Sequence, residues 1–190
     1  MEDFVQKSDR MLARLECAMR KDFETQRDRE FGGEVYPLYA RFFDDGINVT
    51  RLLPGMRRLA IMLEHCYVAR CEALDADKLQ QYCDTLDEMV KTLVKPRKGH
   101  EFTFLSMIVL TDHMPLLLRT KLRRYKNEVK YDPRKQEYGH SSARLCIIDV
   151  SSGKMYTNYM GKPLANRTQK YLDEEKQTSP LEYDRADFGM

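Results

Sequence analysis

FTFLSMIVLTDHMPLLL, residues 102–118, is a run of seventeen mostly apolar side chains near the middle of the chain. It leads directly into residues 119–135, RTKLRRYKNEVKYDPRK, which hold eight Lys or Arg against two acids, a local net charge of +6. The whole chain carries only +2, so positive charge is concentrated where an apolar element ends. Such a concentration is typical of a surface that meets an anionic partner.

The apolar run predicts a buried element followed by a second helix. Residues 102–110 are apolar nearly all round, which indicates the central buried helix of the domain, although so short a run is also compatible with a strand. Asp112 is a candidate N-cap, and Pro115 fits the first turn of a new helix. We expect that helix to extend from about residue 113 to 129. Its inward residues would be Leu118, Leu122, Tyr125 and Val129.

The upstream half of the chain also reads as helical. Residues 2–31 predict one long amphipathic helix that ends at Gly32, with an apolar residue every seven positions at Val5, Leu12 and Met19. Residues 35–45, VYPLYARFFDD, predict a short aromatic helix. Residues 56–74 predict another long helix.

The cleanest helical periodicity follows Asp75 and Asp77, either of which can cap a helix. The apolar residues of this helix recur at spacings of three, four and seven: Leu79, Tyr82, Cys83, Leu86, Met89, Val90 and Leu93. Because only a short turn separates it from the helix of residues 56–74, we expect the two helices to pack as an antiparallel hairpin.

Two strand-like segments near the C-terminus complete the predicted fold. Residues 144–150 and 154–160 flank Ser-Ser-Gly, and Gly153 can adopt the positive φ that a tight turn needs. A weak helix follows, over residues 164–176. The fold class predicted is mainly α: five or six amphipathic helices in an irregular bundle, with one short antiparallel β-hairpin. We expect a single domain over residues 1–172, helical in 1–131 with the hairpin in 144–160, and an acidic, flexible tail over 173–190.

Composition restricts the class of protein. With 190 residues and 42% hydrophobic side chains, the chain can build one buried core. Its five cysteines are odd in number and irregularly spaced, which favours reduced thiols in the cytoplasm or nucleus. The first residues lack the basic and apolar regions of a signal peptide. The run at 102–118 is too short, and too interrupted by polar residues, to span a membrane.

The basic segment supplies the main candidate binding site. Spacings of four, three and four residues would put four cations on one line of a helix, in a row about 16 Å long, which suits successive phosphates of a nucleic acid or another polyanion. An ordinary solvated helix face is the alternative. The candidate residues are Arg119, Lys121, Arg123, Arg124, Lys126 and Lys130, joined by Lys95, Arg97 and Lys98 if that loop folds back.

Metal binding and catalysis find little support in the sequence. The cysteines and histidines lack the paired spacing of a zinc site, and no C-x-x-C occurs. Asp112-His113 is the one adjacent pair of an acid and an imidazole. A metal-dependent nuclease would centre on the C-terminal hairpin, at Asp149 and Lys154 with His113. We predict no catalytic residue, no metal and no cofactor.

We therefore expect a non-catalytic interaction or adaptor subunit of a larger intracellular assembly. Its apolar helical stripes would contact protein partners, and its basic surface would bind nucleic acid or another polyanion. The acidic tail adds a candidate docking motif at Leu181, Tyr183 and Phe188. The alternatives are the nuclease-like enzyme and a membrane-apposed assembly protein whose basic patch meets anionic lipid.

Overall fold

Seven strands form one mixed sheet in the computed structural model, which describes residues 3–49 and 57–178. The strands of this sheet are β1 (Glu24–Gln26), β4 (Leu38–Asp44), β7 (Ile61–Arg70), β8 (His100–Thr111), β9 (Glu128–Lys130), β10 (His140–Asp149) and β11 (Lys154–Thr157). Two small antiparallel ribbons pair β2 (Arg29–Phe31) with β3 (Glu34–Tyr36) and β5 (Ile47–Val49) with β6 (Arg57–Leu59). The helices are α1 (Phe4–Met19), α2 (Ala76–Leu93), α3 (Leu118–Arg124) and α4 (Lys162–Thr178), with single 3₁₀ turns at Pro133–Lys135 and Tyr159–Gly161.

The order of strands across the sheet is β1-β4-β7-β8-β10-β11, and β9 pairs with the first residues of β10. The three central strands are parallel, β8 pairing with β7 on one side and with β10 on the other. The outer strands are antiparallel to their neighbours. The fold is therefore α/β, and the prediction of a mainly α helical bundle is wrong.

The apolar run after residue 102 is the central strand β8, not a central helix. Its side chains alternate between two cores, because Leu105 and Met107 pack on one face of the sheet while Ile108 and Leu110 pack on the other. A strand covered on both faces needs apolar residues at every position, so its sequence has no period of two. This is why the run resembled a buried helix.

The long helix predicted over residues 56–74 is wrong for the same reason, since Ile61–Arg70 form the strand β7, which is also covered on both faces. Cys66 and Val68 face one core, while Tyr67 and Ala69 face the other. The predicted helical hairpin of residues 56–93 is instead a strand followed by a helix, in which α2 crosses over to connect parallel β7 and β8.

Within residues 3–45, one helix and four strands stand in place of the two predicted helices. The predicted helix of residues 2–31 ends at Met19, and residues 35–45 belong to β3 and β4. Gly32 and Gly33 form the two-residue turn of a hairpin, with φ of +62° and +83°. Paired positive φ values are the geometry that Gly-Gly favours between strands, so the sequence did hold this signal.

Helices cover both faces of the sheet. On one face α2 packs through its predicted stripe, and the Asp75 side chain caps it by accepting hydrogen bonds from the amides of Asp77 and Lys78. On the other face lie α1 and α4, with Leu12 and Leu164 in the same core. The predictions for α2 and α4 are confirmed in kind and approximately in extent.

The segment after β8 differs from its prediction. The helix predicted over residues 113–129 is only the seven-residue α3, and residues 128–130 form β9. Its inward residues Leu118 and Leu122 are buried as expected. The predicted C-terminal hairpin is present as β10 and β11, and Gly153 has a φ of +70°.

Candidate ligand pocket

A pocket lies on the sheet face that carries α1 and α4, at the N-terminal half of the central strands. Its volume is about 310 Å³, which falls in the lower range of small-molecule sites. Strands β4, β7, β8 and β10, helix α4 and the loop after α1 contribute to its lining: Asp22, Phe23, Phe42, Glu64, Phe102, Phe104, Arg144, Arg167 and Tyr171.

Glu64 anchors the polar side of this pocket. Its Oε1 accepts hydrogen bonds from Ser106 Oγ at 2.6 Å and from Arg167 Nη2 at 2.7 Å, and its Oε2 accepts one from Arg167 Nη1 at 2.8 Å. Arg144 Nη1 lies farther away, 3.8 Å from Oε2. The Glu64 side chain is only 4% exposed, so a single buried carboxylate serves two guanidinium groups.

The opposite charges of Glu64 and Arg167 stabilise each other. Burial opposes ionisation of Glu64, but the hydrogen bonds and charge of Arg167, assisted by Ser106 and Arg144, outweigh it and hold the carboxyl pKa below its usual range. Burial also opposes the charge on Arg167, but Glu64 outweighs it and raises the guanidinium pKa. Arg167 forms a bidentate ion pair with both oxygens of Glu64. Arg144 approaches the same carboxylate only at the longer distance, so its positive charge is compensated less well.

Arg144 has the properties of a ligand-binding side chain. It is 8% exposed, its Nε has no hydrogen-bond partner, and burial lowers the pKa of its guanidinium. Two residues earlier on the same face of β10, the buried Ser142 Oγ also lacks a partner. Buried donors without partners cost about 1–3 kcal/mol each, so these groups mark a place where an acceptor would be stabilising.

Aromatic rings form the apolar walls of the pocket. The Phe102 and Phe104 rings stack with centroids 4.3 Å apart, and the Arg144 guanidinium carbon lies 3.3 Å from the Phe104 ring centroid. The Arg167 guanidinium lies 4.9 Å from the Phe23 ring. At the rim, the Tyr171 hydroxyl donates a hydrogen bond to Asp22. The pocket therefore combines a buried cation with flat apolar surfaces.

The predicted row of cations on one helix does not exist. Only Arg119, Lys121, Arg123 and Arg124 belong to α3, while Lys126 and Lys130 lie beyond its end. The Arg119 guanidinium contacts Tyr156. Its carbon lies 4.4 Å from the ring centroid, and its Nη2 donates a hydrogen bond to the hydroxyl at 2.8 Å. Lys121 donates to the carbonyl of Ala76 at 3.0 Å. Lys126 pairs with Glu128 at 3.6 Å.

The remaining predicted cations form a second group at the other end of α2. Lys95, Arg97 and Lys98 are exposed in the loop after this helix, which is tied to the segment before β10 by a 2.9 Å hydrogen bond from Tyr138 N to Pro96 O. Lys121 contacts the first turn of α2, so it is separated from this loop by about 27 Å, the length of that helix. Lys130 instead lies on β9 opposite His140, at the start of β10. Binding of nucleic acid or another polyanion stays a prediction.

Two further predictions concern partners. The candidate docking residues Leu181, Tyr183 and Phe188 lie outside the described residues. The apolar stripe of α2, expected to contact protein partners, is buried against the sheet of this chain. Protein partners therefore stay a prediction without an assigned surface.

The residues of the nuclease alternative have structural partners. Asp149 accepts hydrogen bonds from the amides of Met114 at 3.2 Å and Ser152 at 2.8 Å, which holds the loops after β8 and β10 together. Asp112 does not cap a helix, since Ser151 donates to it at 2.5 Å and this hydrogen bond lowers the pKa of its carboxyl. His113 is exposed, with Nδ1 4.0 Å from Asp149.

Buried thiols occupy the core rather than a reactive site. Burial raises the pKa of the Cys66 thiol and raises that of Cys146 to about 12. Within residues 3–49 and 57–178, no three His, Cys, Asp or Glu side chains come together to hold a metal ion. No helix in that part of the chain is long and apolar enough to cross a membrane.

The pocket was missed because the strands that carry Phe42, Glu64, Phe102 and Phe104 were predicted as helices, whereas Arg144 was correctly predicted on a strand. A signal was available: Glu64 is the one carboxylate inside the largely apolar segment LAIMLEHCYV (59–68), and Arg144 begins the segment RLCIIDV (144–150), whose other charge is Asp149. A charge inside a fully covered strand needs a partner on a neighbouring element. Which element supplies it depends on the topology, and the sequence alone does not show this.

A second concavity lies at the edge of the sheet beside β1. It includes Tyr39 and His65, whose hydroxyl oxygen and Nδ1 are 2.8 Å apart and share a hydrogen bond. Burial, assisted by the positive charges of Arg41 and Arg29, lowers the pKa of His65 to about 4.

The comparisons with known proteins identify a family. A family described as a domain of unknown function (DUF8052) matches residues 7–170, and the chain belongs to it. No curated protein and no solved structure matches the chain.

The Glu64 network leads to a stability prediction. In Glu64→Gln, the buried Arg144 and the partly buried Arg167 lose their counter-charge, and we expect the free energy of unfolding to fall by about 3 kcal/mol. The matched control is Glu101→Gln on strand β8, where the side chain is exposed, and it should change stability by less than about 0.5 kcal/mol. Urea denaturation of both variants measures this, and equal effects would contradict the assignment.

His65 leads to a pH prediction. The unfolded chain protonates this residue near pH 6.5 and the folded chain only near pH 4, so between these values the unfolded state binds more protons and stability falls as the pH is lowered. We expect wild type to lose about 3 kcal/mol more than His65→Asn between pH 7 and pH 4. Parallel stability curves for the two proteins would rule out this role of His65.

Proposed function

We propose that this domain is a small-molecule binding module whose pocket holds an anion attached to a flat apolar body. Arg144 carries the proposal, because it is a buried cation in the lining of the pocket and its Nε has no hydrogen-bond partner. Glu64 is held by Arg167 through two hydrogen bonds of 2.7–2.8 Å and lies 3.8 Å from Arg144, so an incoming anion would compete only with the longer of the two ion pairs.

The cationic side chain and the aromatic rings that line the pocket together indicate the chemical class of the ligand. A carboxylate or phosphate complements the guanidinium, which donates in a fixed planar geometry. The stacked rings of Phe102 and Phe104 offer a flat surface that suits an aromatic or similarly planar group. A volume of about 310 Å³ limits the buried part of the ligand to a compact molecule. Binding of such a ligand requires no catalytic group.

Phenyl phosphate and benzoate are suitable probes, with inorganic phosphate and phenol as matched controls that lack the ring or the charge. Fragments of this size bind with about 0.3–0.5 kcal/mol per heavy atom, so we expect dissociation constants of roughly 0.1–5 mM for phenyl phosphate. Isothermal titration calorimetry should show weaker binding of both control compounds.

The site is tested by Arg144→Gln, which should weaken binding of phenyl phosphate at least tenfold, since a charged hydrogen bond contributes about 1.5–3 kcal/mol. Arg134→Gln removes an exposed cation elsewhere and should leave binding unchanged. If Arg144→Gln does not fold, Phe102→Leu leaves the ion network intact and should weaken phenyl phosphate without changing inorganic phosphate. Undiminished binding in Arg144→Gln, or equal binding of phenol, would refute the proposal.

A further inference from the structure

Two consecutive leucines are unusually exposed at the start of α3. Leu116 is 71% exposed and Leu117 is 91% exposed, in the turn that leads from the sheet into this helix. The amide of Arg119 donates to the carbonyl of Leu116 at 3.2 Å, so the leucines belong to the same helical turn as the first residues of α3.

The leucines share the outward face of α3 with cations. At 100° per residue, Leu116, Thr120 and Arg123 fall on one side of the helix, opposite the buried Leu118 and Leu122. Leu117 and Arg124 lie next to that line on the same side. Arg123 and Arg124 are exposed, as is Thr120 between them and the leucines.

The local charge is strongly one-sided. Residues 118–127 contain five cations and no acid. Arg123 also borders a small concavity that holds Tyr159 and Lys162, which extends the patch with a 69% exposed aromatic ring and another cation. An apolar tip beside such cations is complementary to a surface that is apolar inside and negative outside.

We infer that this face of α3 docks on an anionic lipid bilayer. The leucines would enter the boundary between headgroups and acyl chains, a depth of about 5–10 Å. Arg123 and Arg124 lie seven residues farther along, about 10 Å along the helix axis, and would remain among the phosphates. An acidic protein fits less well, since leucine is under-represented among the residues that dominate protein interfaces and the tip stands out instead of forming a groove. The inference is independent of the pocket.

Flotation of the full chain with vesicles tests this inference. We expect binding to vesicles of 70% phosphatidylcholine and 30% phosphatidylserine, and little binding to phosphatidylcholine alone. The double variant Arg123→Gln/Arg124→Gln should bind about 25-fold more weakly, from about fivefold per cation at the membrane surface. Leu116→Ser/Leu117→Ser should weaken binding at least tenfold, from about 1.5–3 kcal/mol for each leucine fully removed from water.

Matched controls separate a membrane contact from general charge and surface effects. Arg134→Gln/Lys135→Gln removes two exposed cations at the other end of the sheet, and Val35→Ser removes an exposed apolar side chain that is 62% accessible. Both should bind vesicles within about twofold of wild type. If the leucine variant binds as well as wild type while the arginine variant does not, the face is a polyanion site and not a membrane contact. Absence of flotation, or equal binding to neutral vesicles, would also overturn the inference.

Discussion

The parallel pairing of β8 with both β7 and β10 is the constraint on which the rest of the structure depends. Parallel neighbours cannot be joined by a tight turn, so α2 must connect β7 to β8, and the segment containing α3 must connect β8 to β10. A central strand flanked in this way has to be covered on both faces. The sheet therefore carries α2 and α3 on one side, and α1 with α4 on the other.

The cover is incomplete over the N-terminal half of the central strands, and polar side chains are concentrated there. The C-terminal half of the α1 and α4 face is apolar, with residues such as Ile108 and Cys146, whereas the N-terminal half carries Glu64, Ser106 and Arg144 among phenylalanines. Burying three charges against one another brings little net stability over an apolar core of the same shape. That cost is understandable if the group positions a guanidinium for a ligand, which connects the topology of the sheet to the proposed function.

The sequence predicted those parts of the fold whose pattern has one interpretation. Helix α2 has a single apolar stripe and a capping Asp75, and the turn at Gly153 lies between two short strands, so both were recognised. The central strands were not, because a strand covered on both faces and a buried helix show the same unbroken apolar pattern. The pocket depends on Glu64 and Arg144, 80 positions apart on strands separated by β8. Periodicity describes neighbouring residues within one element, so it does not predict a pairing between residues so far apart.

The central claim is that Arg144 binds an anionic ligand in the pocket, and arginine side-chain NMR tests it most directly. In spectra of the Nε–H groups, assigned with Arg144→Gln, titration with phenyl phosphate should shift the Arg144 resonance strongly and saturably. The Arg167 resonance, whose guanidinium is held by Glu64, should move less. An Arg144 resonance that stays in place, while those of exposed arginines such as Arg123 and Arg134 move, would contradict the account.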